Sequence, residues 1–200
     1  MPTIRGEIMK TSKLVPFACA LAIGSLTCAV VNAATPVVQA PEASQQAVLA
    51  LINNLAQSRA AGRGLLEADL RAKTQIRNEA VVDGRTFMGD TSVGPVKVSS
   101  SIGPAGAEDT DLVMRFSGAC VHREFVREHL QLKDVVWTSP PDDPAPTIGY
   151  AYFTGGSAVT LFFDATGTRC LTAVRMEPES VLRQQLQRSR STPAHPQSPG

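Results

Sequence analysis

The residues of this 200-residue chain best suited to chemistry are Cys120, Cys170 and two histidines on one predicted helix, His122 and His129. The cysteines stand 50 residues apart and the chain has no C-x-x-C pair, so in an oxidising compartment they read as a structural disulfide, not a redox couple. On the chain-entropy picture a closed loop of that length contributes about 4 kcal/mol. The histidines invite a metal, or acid–base work with Glu124 in an envelope enzyme. Seven helical residues nevertheless separate them by about 10.5 Å along the axis, too far to share an ion. His122-Arg123-Glu124 also lacks the second histidine four residues on that a zincin helix needs. No metal, no catalytic residue and no cofactor is assigned. Three adjacent serines at 99–101 lack the strand-to-helix turn, base and oxyanion hole of a nucleophile. Asp142-Asp143, in a proline-rich loop, reads as a turn former and not as an acid–base couple.

Recognition is the other chemistry on offer, and it depends on a hairpin. Thr147–Thr154 and Ser157–Asp164 are apolar, aromatic and β-branched runs separated by Gly155-Gly156, which predicts a two-residue turn with Thr154 opposite Ser157. One face then carries Ile148, Tyr150, Tyr152, Val159, Leu161 and Phe163. The other carries Gly149, Ala151, Phe153, Ala158, Thr160 and Phe162. If 164–168 closes a three-residue loop, Arg169, Leu171, Ala173 and Arg175 join the tyrosines, and Cys170, Thr172 and Val174 join the small residues. A four-residue loop swaps those sets, because one residue of slip reverses every side chain.

Helices must frame this sheet. Val48, Leu51, Ile52, Leu55 and Ala56 recur at helical spacing over 44–60, with Ser44 as cap and Gly62-Arg63-Gly64 as stop. A second helix is predicted over 65–76 and a third over 120–132, where Val121, Phe125, Val126, Leu130 and Leu132 share an arc with both histidines. Short strands are expected at 86–88, Val96–Ile102, 112–116 and Val135–Thr138, and a terminal helix at 178–188. The fold class is α+β: an antiparallel meander sheet with an N-terminal helix pair and one central helix packed on it. A Cys120–Cys170 bond would set the third helix over the small-residue face. Tyr150, Tyr152, Arg169 and Arg175 would then lie on the opposite face, either under the first two helices or open. An open face with two tyrosines and two arginines has the composition of a protein-binding site. The alternative is that the tyrosines are core, with hydroxyls at its rim.

Residues 1–33 read as a cleaved signal peptide: Lys10 and Lys13, an apolar run over 14–31, and cleavage near Ala33 or Ala34, with Met9 a second candidate initiator. Residues 34–43 read as a linker, 44–188 as one domain and 189–200 as a disordered tail. Losing Arg5, Lys10, Lys13 and Glu7 from 19 basic and 18 acidic residues leaves a nearly neutral chain. That balance offers no footprint for nucleic acid and none for membrane insertion once the leader is gone.

A helix, a strand holding Trp137, and a meander ending in Phe163-Asp164-x-x-Gly167 together resemble the repeated unit of the β-lactamase-inhibitor-protein-like fold of small exported bacterial proteins. The resemblance covers about 120–176, and 65–117 would be an earlier unit of helix and strands. It implies a periplasmic or secreted, non-enzymatic protein that binds another exported or envelope protein through its sheet, as an inhibitor, an immunity protein or an assembly factor. A binder of a small apolar ligand between helix and sheet is the remaining expectation.

Overall fold

The computed structural model describes residues 37–74, 81–82, 84–103, 111–140 and 142–191. The expected leader and residues 192–200 lie outside these. Helices α1 (Glu42–Ala60) and α2 (Arg63–Lys73) lead into strands β1 (Val81–Val82), β2 (Arg85–Val93), β3 (Val96–Ile102) and β4 (Leu112–Gly118). Helix α3 (Arg123–Leu130) then precedes β5 (Val135–Thr138), β6 (Thr147–Thr154), β7 (Ser157–Asp164) and β8 (Leu171–Pro178), and α4 (Glu179–Ser191) follows. The chain is α+β, as expected, with the helix pair N-terminal. Its described strands form one antiparallel sheet in the order β1-β2-β3-β4-β8-β7-β6-β5. Two four-stranded meanders, each preceded by helix, meet where β4 pairs with β8 (Leu112 opposite Met176, Met114 opposite Val174).

Alternation decides which face is core. On β3 and β4 the buried set is Val96, Val98, Ile102, Leu112 and Met114, and on β7 and β8 it is Val159, Leu161, Phe163, Leu171, Val174 and Met176. These pack against Val48, Ile52, Leu55 and Ala56 of α1, Leu66 and Leu70 of α2, and Val126 of α3. Burial of this one stripe is the main driving force for the fold. The tyrosine face is therefore the core face, covered by α1, α2 and α3. The outer face is crossed by α4, whose Arg183 guanidinium stacks 4.2 Å from the centre of the Phe153 ring.

Several boundaries shift for physical reasons. The expected linker is pinned: Cys120 N–H donates to the Val38 carbonyl and Ala40 N–H to the Cys120 carbonyl, both at 2.8 Å. Helix α1 begins at Glu42 after Pro41, so Ser44 is not its cap but sits within its first turn. Gly62, at φ +121°, separates α1 from α2 with a backbone that other residues rarely adopt. Helix α2 stops at Lys73, because the Thr74 hydroxyl turns back to the Leu70 carbonyl at 2.7 Å while its backbone is extended. Helix α3 is shorter than 120–132, being preceded by the segment that pairs with residues 38–40 and stopped by Gln131 in the left-handed conformation at φ +52°. Helix α4 runs through 189–191, three residues into the expected tail.

The first hairpin has the expected register, Thr154 opposite Ser157 and Tyr150 opposite Leu161. The second departs from it. Phe163 pairs with Leu171 but Phe162 pairs with Ala173, a bulge that inserts Thr172. Leu171 thus shares the core face with Val174 and Met176, while Ala173 and Arg175 turn outward. Neither simple register holds along the whole of β8.

Candidate functional site

The disulfide is formed, with Cα atoms of Cys120 and Cys170 5.1 Å apart. Cys170 lies before β8, in an isolated bridge with His122, so the bond ties a loop to the approach of α3 instead of laying that helix over the small-residue face. Beside it, the Gln45 side chain accepts the His122 backbone N–H and donates to the Ala40 carbonyl, both at 2.9 Å. The bond, the pinned segment and the starts of α1 and α3 form one brace.

The four residues expected to bind a partner do not share a surface. Tyr150 is 5% exposed, edge to face with Phe163 and with the Arg127 guanidinium 5.2 Å above its ring. Tyr152 donates its hydroxyl to Asn53 of α1 at 2.6 Å, and burial pushes its phenol pKa well up. Arg169 is in the loop before β8 at φ +54°, where its side chain donates to Glu124 at 3.3 Å. Arg175 is on the outer face. The expected grouping fails because α1 and α3 already cover the tyrosines and the bulge reverses Arg175.

The histidines are also apart in role. His122 Nδ1 meets Glu124 at 2.9 Å, and Arg123 and Arg169 donate to the same carboxylate. Partial burial pushes the Glu124 pKa up, but the bonds from Arg123 and from its own backbone, with the charges of Arg123 and His122, hold it below the usual value. His129 donates Nδ1–H to the Phe125 carbonyl one turn back at 2.8 Å. Among the described residues no three His, Cys, Asp or Glu side chains converge as metal ligands. Asp143 accepts the Ala145 N–H at 2.9 Å, the behaviour of a turn former.

What the fold does assemble is the outer sheet face. One row crosses seven strands: Asp90, Ser99, Arg115, Ala173, Phe162, Gly149 and Trp137 are successive cross-strand partners. Its β2–β4 half is polar and, with Lys97 and Ser117, lines an open depression. Its β5–β7 half is aromatic and adjoins α4. The adjacent row places Ser101, Val113, Arg175 and Thr160 side by side. Arg175 bonds Asp111 at 2.8 Å and Glu177 at 3.3 Å, and Asp111 also receives Arg85 at 3.2 Å.

Between α4 and the sheet is a cleft of about 420 Å³. Trp137, Phe162, Leu182 and Leu186 wall it, and Thr160, Arg175 and Glu177 lie along its polar side. Sequence reasoning did not single out this cleft. The available signal was β7: Ala158, Val159, Thr160 and Leu161 form an unbroken small and apolar run, the mark of a strand covered on both faces.

No family model matches the chain, and no curated protein does. Among solved structures, it is similar to a DUF4309 family protein, YjgB, from Bacillus subtilis, at 14% identity and a TM-score of 0.39, covering 65% of this chain and 97% of that one. Among the described residues no helix is long and apolar enough to cross a membrane.

Proposed function

We propose that this is an exported, non-enzymatic protein that holds another exported or envelope protein against the outer face of its sheet. The supporting observation is that Trp137, 51% exposed, and Phe153, 37% exposed, are both solvent-facing aromatic side chains on that face beside α4. Solvent-facing aromatics next to arginine are the residues that most often anchor protein interfaces. Arg115 and Lys97, on the polar half of the same face, supply a charged flank that steers and orients a partner. Export is supported by the leader-like residues 1–33 and by a disulfide that reducing compartments disfavour. The β-lactamase-inhibitor-protein-like resemblance adds the same expectation of sheet-face binding, in the form of an inhibitor, an immunity protein or an assembly factor.

The test is affinity capture from the envelope fraction of the native host, with the oxidised protein as bait and bound proteins identified by mass spectrometry. A stoichiometric partner that is lost on Trp137→Ala with Phe153→Ala, while Tyr152→Phe keeps it, fits the proposal. Absence of a partner for the folded, oxidised bait would sink it, as would capture indifferent to the aromatic pair.

A further inference from the structure

We infer that the cleft beneath α4 binds a small uncharged molecule with an apolar body and one hydrogen-bond acceptor, an amide or ester carbonyl in its simplest form. Thr160 and Arg175 are direct cross-strand partners on β7 and β8, and both line the cleft. Thr160 is 4% exposed, and neither its hydroxyl nor the buried Arg175 Nε–H has a hydrogen-bond partner among the described residues. A buried polar group without a partner is destabilising, and native structures keep few of them without a reason. Two adjacent donors facing one cavity are satisfied together by a single carbonyl oxygen, which has two lone pairs.

Charge selects between a carbonyl and a carboxylate. Among the described residues Arg175 pairs with Asp111 and Glu177, and Arg85 with Asp111, and Asp143 also lines the cleft. Glu177 itself is 2% exposed and lines the cleft. An anionic ligand would be brought beside the Glu177 and Asp143 carboxylates in a partly desolvated site, a like-charge cost that a neutral acceptor avoids. The apolar body is set by Trp137, Phe162, Leu182 and Leu186, and the volume of about 420 Å³ falls in the ~300–1,000 Å³ range of small-molecule sites. This site adjoins the proposed protein-binding surface and shares Trp137 with it, but its polar donors lie under α4, away from Phe153.

Trp137 is the chain's only tryptophan and lines the cleft, so its emission reports occupancy directly. The full chain is titrated with N-butylbenzamide, with butylbenzene and with 4-butylbenzoate. Saturable change in Trp137 emission with the amide is expected, with the benzoate binding more weakly. Thr160→Val, which keeps the side-chain shape, should weaken the amide by about 3- to 10-fold and leave butylbenzene unchanged, while Thr160→Ser retains amide binding. Circular dichroism checks that each variant is folded. The inference is overturned by no saturable response of the unaltered protein to the amide. It is equally overturned by tighter binding of the benzoate, or by a Thr160→Val loss that is the same for amide and hydrocarbon.

Discussion

Trp137 and Phe162 meet edge to face across Gly149, ring centroids 6.5 Å apart and planes at 79°. The strands that carry them, β5 and β7, are not neighbours, and it is the missing side chain on β6 that lets the two rings touch. A Cβ built on Gly149 would stand 2.8 Å from the Trp137 Cβ and 3.4 Å from the Phe162 ring. The first contact is with an atom fixed by the backbone, so β5 itself must shift to relieve it.

Gly149→Ala is therefore expected to destabilise the protein by about 1–3 kcal/mol, the usual cost of overpacking. Urea unfolding followed by Trp137 emission and by circular dichroism checks this. The emission of the folded variant should also change, because the tryptophan is pushed away from Phe162.

Breaking the disulfide should act on stability without touching the outer face. Cys120→Ala with Cys170→Ala opens a loop of 50 residues and is expected to cost about 4 kcal/mol on the chain-entropy model. Denaturant midpoints of the oxidised protein and the double variant measure it. The pinned segment at residues 38–40 should show the earliest gain in hydrogen exchange, since Cys120 supplies both of its backbone bonds.

The first hairpin was legible because its determinants are local. Gly155 and Gly156 adopt φ of +56° and +85°, the pair of positive values that a tight hairpin turn needs, and the sequence shows two glycines there. The second hairpin was not legible, although Asp164 and Gly167 marked its turn. Its bulge at Thr172 lies beside Cys170, which is held by a bond to Cys120, and nothing within the loop's own sequence reports that tether. The pairing of β4 with β8, more than 50 residues distant in sequence, was invisible for the same reason. The tyrosines misled because composition alone cannot distinguish an interface from a core rim: Tyr152 is a rim tyrosine whose hydroxyl reaches Asn53. The cleft depended on α4 turning back across the sheet, and the glycine-sized gap under Trp137 had meaning only once the strand order was known.

Tyr152→Phe removes the hydrogen bond to Asn53 and should destabilise by about 0.5–1.5 kcal/mol while leaving partner capture intact. It should also alter the alkaline limb of the stability curve. Burial raises the folded phenol above its ordinary value of 10. Above about pH 10 the unfolded chain releases that proton and the folded chain does not, so the contribution is full below pH 10 and declines as pH rises. Unfolding curves from pH 8 to 11 should fall less steeply for Tyr152→Phe than for the unaltered protein.

Asp164 makes the opposite prediction at acid pH. Its carboxylate accepts the Thr166 N–H at 2.9 Å and hydroxyl at 2.6 Å, the Thr168 N–H at 3.2 Å, and the Thr168 hydroxyl. Partial burial pushes its pKa up, but these four bonds outweigh that effect and hold it at about 2, against an ordinary 3.8. Between about pH 4 and 2 the unfolded chain takes up a proton that the folded turn refuses. The turn's contribution is therefore full above pH 4 and is lost as pH falls through 2. Asp164→Asn should lower stability at neutral pH and flatten the acid limb over that window. Because this turn leads directly to Cys170, with the Asp164 N–H bonded to the Cys170 carbonyl at 2.9 Å, exchange at residues 164–170 should rise in the variant. An acid limb of unchanged slope in Asp164→Asn would place the acid sensitivity elsewhere.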